Sequence, residues 1–301
     1  MITITVPATT ANLGPGFDCL GMALGLYNTL IFQEVPEGLF IEVEGERAEE
    51  LSRDRSNLVF RAAERVFQQV GRRPPGLRIR LINRIPIGYG LGSSAAAVVG
   101  GLLGANALLG NPLSRESLLN LAVAMEGHPD NVAPALLGGL IVASGEGESL
   151  VYTRVTLPPL RVVVAVPDVV VPTKEARRLL PRQVSLDDAV FNIGRTALVV
   201  LALERGDYDL LERAMEDRLH QPYRRRLIPA YGEVVQAARE AGAAAVAISG
   251  AGSGLVALAP RNHEEIAQAM RHAFVRAGIP ARAWVLPVVE EGATVKVSGR
   301  R

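Results

Sequence analysis

Residues 1–8 alternate apolar and polar positions with a period of two, which predicts a β-strand, ended by Pro7 and a Gly-, Asn- and Pro-rich loop through Gly16. Two further strand patterns follow at 29–35 and 39–43. Between Asn57 and Val70 the period lengthens. Leu58, Ala62, Val66 and Val70 recur at helical spacing, and Gly71 stands where a helix C-cap belongs. Residues 77–82 alternate again and run through Arg84-Ile85-Pro86 into a glycine-rich stretch. From Ser93 or Ser94 to about Leu109 the chain is mostly small and apolar, which predicts a helix packed closely on its neighbours, because Ala and Gly leave little bulk between backbones. Ser114 reads as the N-cap of a helix over 115–125.

Around residues 155–159 the pattern changes. A continuous apolar strand over 160–166 opens a second series: helices at 189–204, 210–219 and 231–241, a strand at 244–248, a second glycine loop, a strand at 254–259, a helix at 263–277 and a strand at 283–288. The closing order of helix, strand, loop, strand, helix and strand predicts a ferredoxin-like antiparallel sheet. A chain of 301 residues exceeds what one core usually supports. Two domains are expected, over residues 1–157 and 158–301, in an α+β fold.

Composition narrows the chemistry. With 49% apolar residues the chain can bury a core, and a formal charge of +1 gives no global attraction to a polyanion, so no nucleic-acid partner is expected. The apolar runs are too short for a membrane span and the N-terminus lacks a signal-peptide layout, so a cytoplasmic protein without a membrane partner is expected. Cys19 is the only cysteine, which excludes an intrachain disulfide and reads as a small buried hydrophobe. Lys174 and Lys296 are the only lysines among 32 basic residues, which limits any role for a catalytic amine. His220, His263 and His272 are expected on helix surfaces in structural roles.

The strongest local signal is PIGYGLGSSAA, residues 86–96, between a strand and a helix start. Gly88, Gly90 and Gly92 permit positive φ and remove side-chain obstruction, so successive N–H groups can face one anion. Ser93 and Ser94 add hydroxyls at a helix N-terminus, where negative charge is already favoured. A triphosphate fits such a loop. No Gly-Lys-Ser/Thr follows, so it is not a Walker A loop, and its spacing is not that of a dinucleotide fingerprint.

Three segments together resemble the GHMP kinases. PIGYGLGSSAA is similar to that family's second motif, and PATTANLGPGFDCLG, residues 7–21, to the first motif of its homoserine kinase branch. ISGAGSG, residues 248–254, resembles the third motif, with Ser253 where proline is usual. The resemblance implies the GHMP kinase fold, with an N-terminal ribosomal-protein-S5-domain-2-like half and a C-terminal ferredoxin-like half. It implies a kinase of threonine biosynthesis that uses ATP and Mg²⁺ to phosphorylate L-homoserine, and a homodimer.

Residue by residue, the resemblance puts the nucleotide on Pro86, Ile87, Gly88, Tyr89, Gly90, Leu91, Gly92, Ser93, Ser94, Ala95 and Ala96, with Gly250 and Gly252 from the third motif and Asn57 beside the adenine. Ser94 and Glu126 are the implied metal ligands. For the acceptor it implies Asn12, Asp18, His128, Asn131, Thr173, Arg177 and Arg224. Asp18 suits an ammonium, and guanidinium groups suit a carboxylate through bidentate hydrogen bonds. Ser94, Asp130 and Asn131 are the implied catalytic residues, Asp130 as a candidate base. The alternatives are another small-alcohol kinase of the family, for mevalonate or a sugar, or a GHMP-fold ligand-binding protein without catalysis. Mevalonate-type relatives carry a lysine in the first motif where this chain has Thr9 and Thr10. Ser94, Glu126 and the unbroken loop argue against lost catalysis.

Overall fold

In the computed structural model, which describes residues 1–298, strand β1 (Ile2–Ala11) buries Ile2, Ile4 and Val6 at alternate positions. It does not end at Pro7. The register against β2 (Leu20–Val35) shifts between Pro7 and Ala8. This irregularity accommodates a residue that has no N–H to donate, and pairing then continues to Ala11. β2 is therefore much longer than the segment expected at 29–35. Its second half pairs with β4 (Gly76–Asn83) and its first residues with β5 (Leu140–Ser144), which in turn holds β6 (Val151–Val155). β3 (Gly38–Gly45) lies parallel to β4 at the edge.

Four helices cover this sheet. α1 (Leu58–Val70) starts where the Asn57 side chain accepts from the Val59 N–H at 2.9 Å and ends at Gly71 in the left-handed region. α2 (Ser93–Leu108) packs on α1, β1 and β2. Its small residues are needed: a Cβ at Gly104 would lie 2.3 Å from the Phe32 ring. α3 (Arg115–Glu126) begins at Ser114 as expected and stops at Gly127. α4 (Pro129–Leu137) has no counterpart among the expected elements. Pro129 opens it, because the first turn of a helix leaves N–H groups unpaired anyway.

The second half contains β7 (Arg161–Pro167), α5 (Thr173–Arg178), α6 (Leu186–Arg205), α7 (Tyr208–Ala214), α8 (Gln221–Arg224), α9 (Tyr231–Glu240), β8 (Ala245–Ile248), β9 (Leu255–Leu258), α10 (His263–Arg276) and β10 (Ala281–Pro287). Its sheet runs β10-β7-β9-β8, antiparallel throughout. α9 and α10 close one face over Val163, Ala165, Ile248 and Leu255, and the opposite face, with Val162 and Val164, joins the larger core beneath α6 and α7. The last strand, β11 (Thr294–Val297), leaves this sheet and pairs antiparallel with β1 in the first one.

The helix expected over 210–219 is shorter. It ends near Ala214 because the buried Asp217 carboxylate accepts from the N–H groups of Leu219, His220 and Gln221, which turns the chain. His220 is consequently not on a surface. It is fully buried, with Nε2 donating to the Gly14 carbonyl at 2.7 Å.

Candidate active site

β1 delivers Thr9 to Asn12 into the middle of the molecule, and both glycine loops fasten onto that segment. The Thr9 N–H donates to the Leu91 carbonyl at 3.1 Å, and the Gly250 N–H to the Ala11 carbonyl at 3.1 Å. The Asn12 side chain donates to the Gly250 carbonyl at 2.8 Å. Between the loops, the Ser249 hydroxyl donates to the Gly90 carbonyl at 2.6 Å, and the Gly254 N–H to the Tyr89 carbonyl at 3.1 Å. All three motifs thus form one hydrogen-bonded unit.

Gly88, Gly90 and Gly92 have φ of +88°, +75° and +68°. At two of them a side chain is also excluded by distance: a Cβ on Gly90 would lie 1.9 Å from the Ser249 carbonyl oxygen, and one on Gly92 1.9 Å from the Thr9 hydroxyl. The loop ends at the N-terminus of α2, a 16-residue helix whose unpaired N–H groups face outward with its dipole. A cavity of about 350 Å³ opens over this loop, between the two halves of the chain.

Ile87, Gly88, Gly90, Leu91, Gly92, Ser93, Ser94 and Ala95 line the cavity, as do Asn57, Gly250 and Gly252. Pro86, Tyr89 and Ala96 do not. Ala96 is buried in the α2 packing, and the Tyr89 hydroxyl donates to Asp168 at 3.0 Å on the far side of the loop. Burial, followed by the Asp168 carboxylate, raises the Tyr89 pKa. These residues shape the loop from outside the cavity lining.

At one end, Ser94 donates to the Glu126 carboxylate across the cavity wall. Two hard oxygen donors in contact, one exposed and one half-buried, suit Mg²⁺. Neither lysine lines the cavity.

The other end carries mixed charge. Arg177 grips Asp18 with two hydrogen bonds of 2.7 and 3.0 Å, so the two residues expected to hold opposite ends of a substrate hold each other. This pairing outweighs burial and raises the Arg177 pKa. Asp130 is 2% exposed. Its carboxylate pairs with His128 Nδ1 and accepts from Asn131 at 3.2 Å. The Asn131 oxygen accepts from Thr9 at 2.7 Å. Burial opposes protonation of His128, but the hydrogen bond and charge of Asp130 prevail and raise its pKa. Donor atoms of Asp18, His128 and Asp130 lie within 4.8 Å of one another. With Arg177 already on Asp18, that cluster suits an ammonium better than a divalent ion.

Arg224 is 2% exposed, and its Nε is buried without a partner. Its Nη1 donates to the Gly250 carbonyl at 3.1 Å, while Phe17 lies 5.0 Å beneath the guanidinium. Burial first, then the nearby Arg177, lower its pKa to about 10, which still leaves it charged near neutrality. Such a buried, under-used guanidinium facing a cavity suits a carboxylate. Thr173, at the start of α5, lines the same end.

Sequence reasoning missed Asn28, Leu30, Leu51, Leu58, Val59, Leu81, Asn83, Ala97, Val171 and Ala251, which complete the lining. Asn28 fixes the entry to the glycine loop, because its oxygen accepts from the N–H groups of Arg84 and Ile85 at 2.8 and 3.0 Å. Asn57 spends both polar groups on capping α1 and on the Ser52 carbonyl. Cys19 is half-buried, and burial, then Asp130 and Asp18, push its thiol to about 11.

Known families match both halves. Residues 57–139 match the GHMP kinases N terminal domain and residues 199–276 the GHMP kinases C terminal domain. The homoserine kinase of Moorella thermoacetica is 48% identical over 98% of this chain and 100% of its own length. That of Carboxydothermus hydrogenoformans is 45% identical over 97% and 96%. Among solved structures, homoserine kinase from Cytophaga hutchinsonii superposes with a TM-score of 0.88 at 33% identity, covering 98% of this chain and 97% of its own. The mevalonate kinase of L. major, with a TM-score of 0.73 at 18% identity over 96% of each chain, shares the fold.

Proposed function

Since the chain belongs to the GHMP kinase family, and within it to the homoserine kinases, we propose that it transfers the γ-phosphoryl group of ATP to the side-chain hydroxyl of L-homoserine, yielding O-phospho-L-homoserine. The observation that carries the acceptor assignment is the buried, unpartnered Nε of Arg224 beside the Asp18, His128 and Asp130 cluster. A zwitterion offers one charge to each.

In this reading the phosphates of ATP lie along the N–H groups of Gly88 to Ser94 and the N-terminus of α2, while the purine occupies the apolar end near Leu51, Leu58 and Leu81. Ser94 and Glu126 would hold Mg²⁺, whose chemistry is to neutralise charge on the phosphates. Arg224 binds the acceptor carboxylate, and Asp18 and Asp130 attract its ammonium. Asn131, held by Thr9, directs the acceptor hydroxyl toward the phosphate loop. Phosphoryl transfer passes through a loose transition state in which the acceptor proton need not leave early. Positioning by Asn131 and Asp130 therefore matters more than strong basicity, and the absence of a lysine at the cavity is no obstacle.

The test is ADP release in the presence of Mg²⁺ with homoserine, threonine or mevalonate as acceptor. Homoserine is expected to be the preferred acceptor by a wide margin. Turnover with mevalonate alone would transfer the activity to another branch of the family, and release with none of them would leave only a ligand-binding role.

A further inference from the structure

A short strap, Asp168 to Pro172, joins the end of β7 to the start of α5 and touches both glycine loops on its way. The Tyr89 hydroxyl donates to the Asp168 carboxylate at 3.0 Å, the Ser253 hydroxyl donates to the Val169 carbonyl, and the Val171 N–H donates to the Gly88 carbonyl at 3.4 Å. Val170 lies over Gly88 so closely that a Cβ there would be 2.8 Å from its Cγ1. Ser253 is fully buried, so water does not readily replace its bond if the hydroxyl is lost. The family's third motif usually has proline at this position, a residue that could not make the bond.

The far end of the strap opens the helix that reaches the acceptor end of the cavity. Pro172 caps α5, Thr173 is its first residue, and Arg177 follows one turn later; Thr173 and Arg177 both line the cavity. Little else holds α5 in place. It is six residues long, and only Ala176 in it is buried. Arg177 is tied to Asp18, which is the carboxylate that an acceptor ammonium would claim in the function proposed above. Once that tie is contested, the strap is the remaining anchor. Pro167 and Pro172 bound it and fix φ at both ends, so a displacement at one end is passed along the strap instead of being absorbed by it.

We propose that Tyr89 and Ser253 are positioning residues that couple the two ends of the cavity: by fastening the strap to the glycine loops they set where Thr173 and Arg177 stand, so that nucleotide on the loops raises the affinity for the acceptor. This coupling rests on the function proposed above and adds to it a regulation of the same site. Neither the Tyr89 nor the Ser253 side chain lines the cavity, so neither acts by touching a substrate. Coupling of this kind is reciprocal, and the acceptor must raise the affinity for nucleotide by the same factor.

The test uses the whole chain, Mg²⁺ and a non-hydrolysable ATP analogue. Calorimetry is expected to show homoserine binding about fivefold or more tightly with the analogue present than without it, and the analogue gaining the same factor from homoserine. Tyr89→Phe and Ser253→Ala each remove one hydroxyl and keep the packing, and each is expected to bring the factor below about twofold. Asp168→Ala should do the same, whereas Asp168→Asn, which can still accept from the Tyr89 hydroxyl, should keep the factor. A merely structural role would lower the unfolding midpoint, or weaken both ligands, without changing the factor. Hydrogen exchange gives a second readout that needs no acceptor. Saturating analogue is expected to slow the amides of both 86–96 and 168–178 in the wild-type chain, but only those of 86–96 in Ser253→Ala. A wild-type factor near one, a Tyr89→Phe or Ser253→Ala chain that keeps the factor, or slowing at 86–96 that never reaches 168 would overturn the proposal. Homoserine that binds in no state would instead overturn the acceptor assignment, and the exchange readout would still decide the strap.

Discussion

In the function proposed above, Arg224 is the side chain that holds the acceptor carboxylate. It is the largest of the fully buried side chains, and its guanidinium is only partly satisfied, with Nη1 on the Gly250 carbonyl and Nε without a partner. Arg224→Leu keeps the bulk and removes the charge. Losing a charge-assisted hydrogen bond of about 1.5–3 kcal/mol raises KM for homoserine roughly ten- to a hundredfold. KM for ATP should stay within about twofold, because the phosphate loop is untouched. Initial rates with each substrate varied in turn check this, and equal effects on both would exclude a carboxylate contact. His128 is a second residue with a definite signature. Asp130 raises its pKa in the fold, so the pair contributes stability that is fully present below the unfolded value of about 6.5 and is lost as pH rises through the higher folded value. The stability difference between the wild-type chain and His128→Gln is therefore expected to be larger at pH ~5.5 than at pH ~8.5, a comparison that denaturant titration makes directly.

Among the elements, the two glycine loops act as one because their backbones touch. Gly90→Ala introduces both a positive-φ penalty and a Cβ 1.9 Å from the Ser249 carbonyl. Gly71→Ala introduces the φ penalty alone, with nothing within 4 Å. Gly71→Ala should cost on the order of 1 kcal/mol. Gly90→Ala should cost more by at least that amount again, and the excess, read from unfolding curves, measures the contact between the loops. The first glycine loop was legible in the sequence because its chemistry is local: glycines, two serines and a helix start within eleven residues. α1 was legible for the same reason, with Asn57 and Gly71 at its ends. The first half of β2 was not, because Leu20 to Leu24 are all buried and no alternation marks them. α4 was hidden by its length of nine residues and by Pro134 within it. The bidentate Arg177 to Asp18 pair, and a cavity wall built from Asn28, Leu51 and Leu81, join segments far apart in the chain. No local pattern encodes such meetings.

At the scale of the whole molecule, the two halves share one core and are also joined at the cavity, where the motifs interlock, and at the edge of the first sheet, where β11 covers β1. Truncation after Ala293 removes the pairing at that edge and leaves the shared core. It should lower the midpoint of thermal unfolding by several degrees and promote aggregation, because β1 would present unpaired N–H and C=O groups along Ile2 to Thr5. Turbidity and calorimetry would register both effects, and an unchanged midpoint would show that β1 holds its place unaided. The same pairing sets an order of events during synthesis. Ile2 leaves the ribosome long before its partner Val297. Throughout translation the strand that carries Thr9 and Asn12 toward the catalytic centre thus has one flank open, exposed to whatever else in the cell can add a strand. The first glycine loop hangs from that strand, so on the function proposed above a nascent chain would have its nucleotide loop before it has a closed sheet, and a bound nucleotide would steady the half-made molecule while it waits for its final strand.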